Sequence, residues 1–241
     1  KGIDVSVIGT GIGTDNVEIA IVEAYIAHEF DLKNSTRISG STPMTFIRLG
    51  TSGGVQPDIK PGTLAVASYA LGLDSTGVYY DQAPEDEMIE RIESSAEKIL
   101  TDATANTSRF KGKIIPYASK ASPEVTKALA NQAKKSGVSY GVGITVSSPG
   151  FYGPSSRYIV GLKNTLPDIK GSLSELNLDG LKVLNMEMES SLLFHLCSQM
   201  GYHAGTICTV ISTSTESDAV VNYDAAIAST IEIGLKALVE L

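Results

Sequence analysis

Lys182-Val183-Leu184-Asn185-Met186-Glu187-Met188-Glu189-Ser190-Ser191-Leu192-Leu193-Phe194 carries two periodicities in one short run. Residues 182–186 are mostly apolar and read as a strand. From Glu189 onward, Leu192, Leu196 and Met200 recur at helical spacing. A strand therefore feeds directly into a helix, and Glu187, Met188 and Glu189 fall at the junction. The same alternation repeats along the chain. Strands are predicted at 4–9, 45–50, 63–69, 113–117, 139–147, 182–186 and 205–212. Several are rich in Val, Ile and Thr and apolar on both faces, which suits burial on both sides of a sheet. Helices are predicted between or after several of them. Asp15 with Glu18 reads as a capping box. Met88, Ile92, Ala96 and Ile99 mark a second helix. Ser122-Pro123-Glu124 opens a third, which Gly137 stops. Ile227, Ile231, Leu235 and Leu238 mark the last. Alternating strands and helices give an α/β fold with a mixed or parallel sheet.

The 241 residues suffice for one large domain, and no repeat or low-complexity tract divides them. A formal charge of −8 argues against a nucleic-acid partner, which normally meets a basic face. It leaves room for a small anion held by a few local donors. No apolar run reaches the ~18 residues that span a membrane, and no signal peptide is visible. Cys197 and Cys208 stand alone in apolar surroundings and read as buried thiols, in keeping with a reducing cytoplasmic setting. His28, His195 and His203 lack partner motifs for a triad. Residues 33–42 and 74–84 read as surface loops, with Tyr79-Tyr80 at an interface or pocket edge. The chain opens on Lys1 without an initiator Met and runs straight into a strand-like segment, so residues are expected before it.

Two glycine clusters suggest ligand contact. Gly9-Thr10-Gly11-Ile12-Gly13-Thr14 ends one predicted strand and precedes a helix. It is an incomplete dinucleotide fingerprint, since Thr14 stands where the last glycine belongs. It reads either as a tight turn or as a turn where backbone approaches a ligand. Phe46-Ile47-Arg48-Leu49-Gly50-Thr51-Ser52-Gly53-Gly54 is an apolar strand that reaches an arginine and then turns through small and hydroxyl residues. Glycines let N–H groups face an anion, and Arg48 offers a planar fork for phosphate oxygens. The alternative is a hairpin turn with a surface arginine.

The acids at 187 and 189 also have two readings. Carboxylates in a first turn complement the helix dipole, worth about 0.3–1 kcal/mol. Placed beside a sugar, a carboxylate grips a vicinal diol. It also stabilises a ribosyl group that becomes cation-like as its bond breaks.

Taken in order, these segments resemble the nucleoside phosphorylase superfamily, closest to its uridine phosphorylase branch. The marks are residues 47–54, Ser147-Ser148-Pro149-Gly150-Phe151-Tyr152 with Arg157-Tyr158, and Asn185-Met186-Glu187-Met188-Glu189-Ser190, supported by Gly11-Ile12-Gly13. The resemblance runs from Val5 to near the C-terminus. It implies a single three-layer α/β/α domain over 1–241 whose mixed sheet forms a distorted central barrel. It implies reversible cleavage of a nucleoside by inorganic phosphate, giving free base and ribose 1-phosphate, with phosphate as co-substrate and no metal or organic cofactor. Arg48, Glu189 and Arg157 would be catalytic. Arg48, Gly50, Thr51 and Gly13 would hold phosphate, and Thr51, Glu187, Met188 and Glu189 the ribose. Phe151, Ser155, Arg157 and Ile211 would meet the base. Members assemble as homodimers, often three in a ring, with shared sites.

The chain also departs from the family pattern. The early Gly-Asp-Pro-x-Arg phosphate loop, and the histidine and arginine lent by a neighbouring subunit, belong upstream of Lys1. Ser155 replaces the glutamine that reads a pyrimidine. Thr213 stands where purine-cleaving members carry an acid, with Asp218 five residues beyond, and Thr213-Ser214 replaces the usual Asn-Arg. A pyrimidine nucleoside is favoured. A nucleosidase using water, a purine nucleoside phosphorylase and a non-catalytic nucleoside-binding relative stay open. Residues 148–162 and 218–223 are expected to border the base pocket, the latter as a movable cover.

Overall fold

The computed structural model describes residues 4–213 and 222–241. Helix α1 (Thr14–Glu29) is followed by a small hairpin, β1 (Phe30–Asp31) and β2 (Thr36–Arg37), whose second strand lies within the first predicted loop. Strands β3 (Thr45–Gly54) and β4 (Leu64–Gly72) precede α2 (Glu87–Ala103) and β5 (Tyr117–Lys120). Helix α3 (Pro123–Ser136), strand β6 (Tyr140–Ser147) and the short α4 (Ile169–Ser174) come next. The chain ends with β7 (Asn177–Leu178), β8 (Leu181–Glu187), α5 (Ser190–Met200), β9 (His203–Ser212) and α6 (Tyr223–Glu240).

The large sheet runs β3-β9-β4-β6-β8-β7, with β5 added on β4. Strand β3 is parallel to β9, and β4 to β6, while β9 and β4 are antiparallel. The far end of β3 then pairs antiparallel with β8, Gly53 opposite Met186 and Gly54 opposite Asn185. That last pairing closes five strands into a distorted barrel. A register shift at Ser52/Gly53 lets β3 leave β9 for β8. The expected turn after Arg48 is thus corrected: the strand continues through Gly54. Its small residues are what allow one strand to bend between two partners.

Side chains from β4, β8 and β9 meet Ile59 of the β3–β4 loop, where Ile59, Ala65, Leu184 and Val210 form a small buried cluster. Helices α2 and α4 cover one outer face through Ile89, Ile92, Leu100, Ile169 and Leu173. Helices α1 and α5 cover another through Val17, Ile21, Leu192 and Phe194. Helices α3 and α6 pack Val125, Leu129 and Ile233 on Leu64, Val66 and Ile207. The doubly apolar strands are therefore buried on both faces, as their composition implies.

Two local expectations fail. Residues 4–9 form no strand, and Val7 and Ile8 are exposed. Among the described residues they find no ladder partner, so β propensity has nothing to act on. Asp15 does not cap α1, whose N-cap is Gly13. Glu18 instead accepts the hydroxyl of Tyr80. Ser122 and Gly137 do bound α3, with Gly137 left-handed at φ 72°, although the Ser122 hydroxyl accepts from Ala204 N rather than capping. Strand β5 begins where the fourth predicted strand ends.

Gln56 ties α4 to the barrel. Its buried Nε2 donates to Ser174 O at 3.0 Å and to Val183 O at 2.9 Å. Gln56→Leu keeps the volume and leaves both carbonyls bare, at a cost of about 1–3 kcal/mol. A lowered thermal midpoint with unchanged secondary structure by circular dichroism is the expected outcome.

Candidate functional site

Barrel closure brings β3, β8 and β9 together at one end. Arg48 lies on β3 and Cys208 on β9, where it is the register partner of Gly50. Glu187 ends β8, and Glu189 is the N-cap residue of α5. The guanidinium of Arg48 reaches Glu187 Oε2 at 3.0 Å and also pairs with Glu189 Oε2. Its Nη1 donates to Cys208 Sγ at 2.9 Å. Gly50 makes this possible: a Cβ there would sit 2.7 Å from Arg48 Nη1 and 2.9 Å from Cζ.

The two carboxylates differ in what else holds them. Glu187 is enclosed by donors of its own chain. Ser147 Oγ donates at 2.6 Å, Glu189 N at 2.9 Å and Ser190 N at 3.1 Å. It therefore satisfies the first N–H groups of α5, as the dipole reading has it. Ser147 Oγ in turn accepts from Ser191 N at 2.9 Å. Glu189 has fewer partners beyond Arg48: Gly13 N at 2.8 Å on Oε1 and Met188 N at 3.2 Å on Oε2. Gly13 adopts φ 95°, a conformation that suits glycine and turns its N–H toward the acid.

Two acids share one arginine in a buried space. Burial, and then the charge of Glu187, raise the Glu189 carboxyl above its usual range, against the pull of Arg48 and the Gly13 N–H. Burial alone would lower the Arg48 guanidinium, but Glu187, Cys208 and Glu189 more than reverse this. Burial pushes the Cys208 thiol up to about 12, so it stays a neutral thiol. The described part of the site thus holds two carboxyl groups around one arginine with planar donors.

The segment expected to meet the base lies on a loop after β6. Arg157 stacks over Phe151, its Cζ 4.0 Å from the ring centroid, and both are exposed. The Ser155 hydroxyl donates to Gly150 O at 3.2 Å, so it is engaged within its own loop. Thr51 is half-buried on β3 opposite Thr209, and Ile211 is half-buried near the end of β9. Met188 links the two acids in the chain. The structure thus gathers Arg48, Gly50, Gly13, Glu187 and Glu189 into one constellation, with Thr51 on β3 and Ile211 on the adjoining β9. Phe151, Ser155 and Arg157 form a second group. Asp218 and the rest of 218–221 lie outside the described residues.

The sequence reading missed the part of Ser147 and Cys208 in this network. Cys208 is indeed buried, yet its register opposite Gly50 is what sets it under Arg48, and no local pattern reports register between distant strands. Ser147 lies in a quoted motif, but its bond to Glu187 spans 40 residues. The histidines stay peripheral: His195 Nε2 meets Tyr80 O at 2.6 Å, His28 Nε2 meets Thr42 O at 2.8 Å, and His203 pairs with Glu124. Tyr79 is exposed beside a cavity lined by Glu18, Ser75, Thr76 and Tyr80.

A carboxyl raised on folding binds its proton more tightly in the native state, so its ionised form costs stability above the ordinary Glu range. Glu189→Gln removes that charge and keeps an acceptor for Gly13 N–H. Its thermal midpoint should equal or exceed that of the unsubstituted protein at pH 8. The gap should close as pH falls and Glu189 takes up a proton. A variant less stable at every pH would mean that the Arg48 pairing outweighs the burial of Glu189.

The profile of the Phosphorylase superfamily matches residues 1–239. A uridine phosphorylase of Thermococcus kodakarensis is 30% identical over 218 residues, covering 90% of this chain and 61% of that protein. A uridine phosphorylase of Haemophilus influenzae is 28% identical over 218 residues, covering 90% of this chain and 68% of that protein. The chain thus spans about two thirds of the length of these relatives. A solved Trypanosoma brucei nucleoside phosphorylase, described as showing uridine phosphorylase activity, superposes with a TM-score of 0.81 at 28% identity. It covers 96% of this chain and 79% of that one. With the closed barrel, the paired acids and the arginine between them already in place, the match over nearly all its length shows that this chain belongs to the Phosphorylase superfamily.

Proposed function

We propose that this protein cleaves the N-glycosidic bond of a nucleoside with inorganic phosphate, with uridine or a related pyrimidine nucleoside as the preferred substrate. The observation that carries the reading is Arg48 shared between Glu187 and Glu189. A guanidinium suits phosphate oxygens, and an acid with few other partners suits a ribose diol. One contact therefore joins the phosphate side to the sugar side.

In the reaction, a phosphate oxygen bonds to C1′ as the C1′–N bond breaks. The bonding pair leaves with the base, which then takes a proton, and the ribosyl group passes through a cation-like state. Glu189 holds the 2′- and 3′-hydroxyls and its charge favours that state. Glu187, fixed by Ser147 and the start of α5, keeps Arg48 in place rather than gripping sugar. Phosphate draws Arg48 from Glu189 and frees that acid for the diol. Gly50 and Thr51 line the phosphate side, Met188 and Thr51 the ribose, and Phe151, Arg157 and Ile211 the base. The chemistry draws on phosphate as co-substrate and on no organic cofactor. A homodimer with shared sites, acting in the cytoplasm, completes the proposal. Among the described residues, no helix is long and apolar enough to cross a membrane.

A nucleosidase using water has no use for an arginine at this point, so Arg48 favours phosphorolysis. The half-buried Thr213, in the position of an acid in purine-cleaving members, favours a pyrimidine.

The reading is tested with uridine, thymidine, inosine and adenosine, following free base with and without phosphate. Release from uridine should require phosphate, and equal turnover without it would identify a nucleosidase. Arg48→Ala should lower kcat/KM for phosphate by about 10²–10³-fold, on the order of the loss when one preorganised donor is removed from an active site. Glu189→Ala should lose turnover by orders of magnitude and remain folded. Unchanged turnover in Glu189→Ala would leave a binding protein as the reading.

A further inference from the structure

Lys170 is the second residue of α4, a helix fixed on several sides. Ile169 and Leu173 are buried in the core beneath it. Asp168 caps it through Gly171 N at 2.9 Å, and Gln56 holds its last carbonyl. The Ser156 hydroxyl donates to Leu166 O at 2.6 Å and accepts from Ile169 N at 2.9 Å. Ser156 directly precedes Arg157, and Ile169 directly precedes Lys170. One hydroxyl therefore clamps the arginine segment to the lysine segment.

The Lys170 ammonium lies over the end of β3. A Cβ added to Gly53 would fall 2.7 Å from Nζ and 3.6 Å from Ser212 Oγ, so only glycine leaves the ammonium this place. Gly53 lies five residues beyond Arg48 on the same strand, and Ser212 follows Ile211 on β9. The ammonium is half-buried, and no carboxylate pairs with it among the described residues. Burial, and then the charge of Arg157, lower its pKa. A lysine and an arginine carried by two segments that Ser156 joins, with no acid paired to the lysine among the described residues, suit an electron-rich group bound beside them.

We propose that Lys170 is a further catalytic residue, a second cation on the base side that stabilises the charge leaving with the pyrimidine. As C1′–N1 breaks, its electron pair passes into the ring and spreads onto the carbonyl oxygens. Arg157 and Lys170 meet that charge, and solvent then supplies the proton. This role gives the base side the polar contact that Ser155 does not offer, and it rests on the phosphorolysis proposed above.

The test compares Lys170→Met and Lys170→Arg with the unsubstituted enzyme on uridine and 5-fluorouridine, at saturating phosphate and with thermal midpoints recorded. Fluorine makes the base a better leaving group with less need of stabilisation. Lys170→Met should lower kcat on uridine by roughly 10–100-fold and on 5-fluorouridine by clearly less, with phosphate KM unchanged. Lys170→Arg should restore part of the loss. An equal fall on both substrates, no fall, or a rise in phosphate KM would overturn the role. A folding defect would appear in the midpoint and lower both substrates alike. If the unsubstituted enzyme releases no base with phosphate, the phosphorolysis reading itself fails, and the lysine's role with it.

Discussion

The closure of the sheet between β3 and β8 decides where every group of the site stands. Strand β3 spends most of its length beside β9 and its last residues beside β8, with Gly53 opposite Met186. Without that second pairing Arg48 and Glu187 would lie on separate edges. With it, the arginine lies a few residues before the seam and the acids just past it. The seam also exposes the reason for the glycines and small hydroxyl residues after Arg48. Bulky side chains would hinder one strand from serving two partners, and at Gly50 and Gly53 they would also displace the cations that lie there.

The site itself is an electrostatic compromise. A buried ion pair is seldom worth much to stability, because desolvation offsets the attraction. Here two acids surround one arginine, and only Glu187 is fully served by backbone and hydroxyl donors. In the proposed reaction, phosphate would satisfy the arginine and a ribose diol would satisfy Glu189. The fold maintains the arrangement by rigid means, with Ser147 linking β6 to the start of α5 and Ser156 linking the loop after β6 to α4.

Much of this was legible in the sequence, for local reasons. Strand and helix identity followed from burial on one or both faces, and the bounds of α3 followed from Ser122-Pro123 and Gly137. Arg48, Glu187 and Glu189 stood out because charged residues at the ends of apolar strands are unusual. Residues 4–9 misled because β propensity says nothing about whether a partner strand is present. The continuation of β3 was hidden because glycine, serine and threonine read locally as a turn, whereas pairing with two distant strands kept them extended. Cys208 and Lys170 were invisible for a related reason. Their roles depend on register and on the packing of a six-residue helix, neither of which leaves a periodic trace.

The bond from Gly13 N–H to Glu189 joins residues 176 positions apart, and Arg48 meets Glu189 across 141. Contacts this remote in the chain form only after long loops have closed, which is slow compared with local helix formation. Partly folded forms can thus hold most of the helices and several strands while the acids and the arginine remain apart. Recovery of catalysis during refolding then reports the joining of residues 13 and 48 to residue 189, and it should trail the recovery of helical signal.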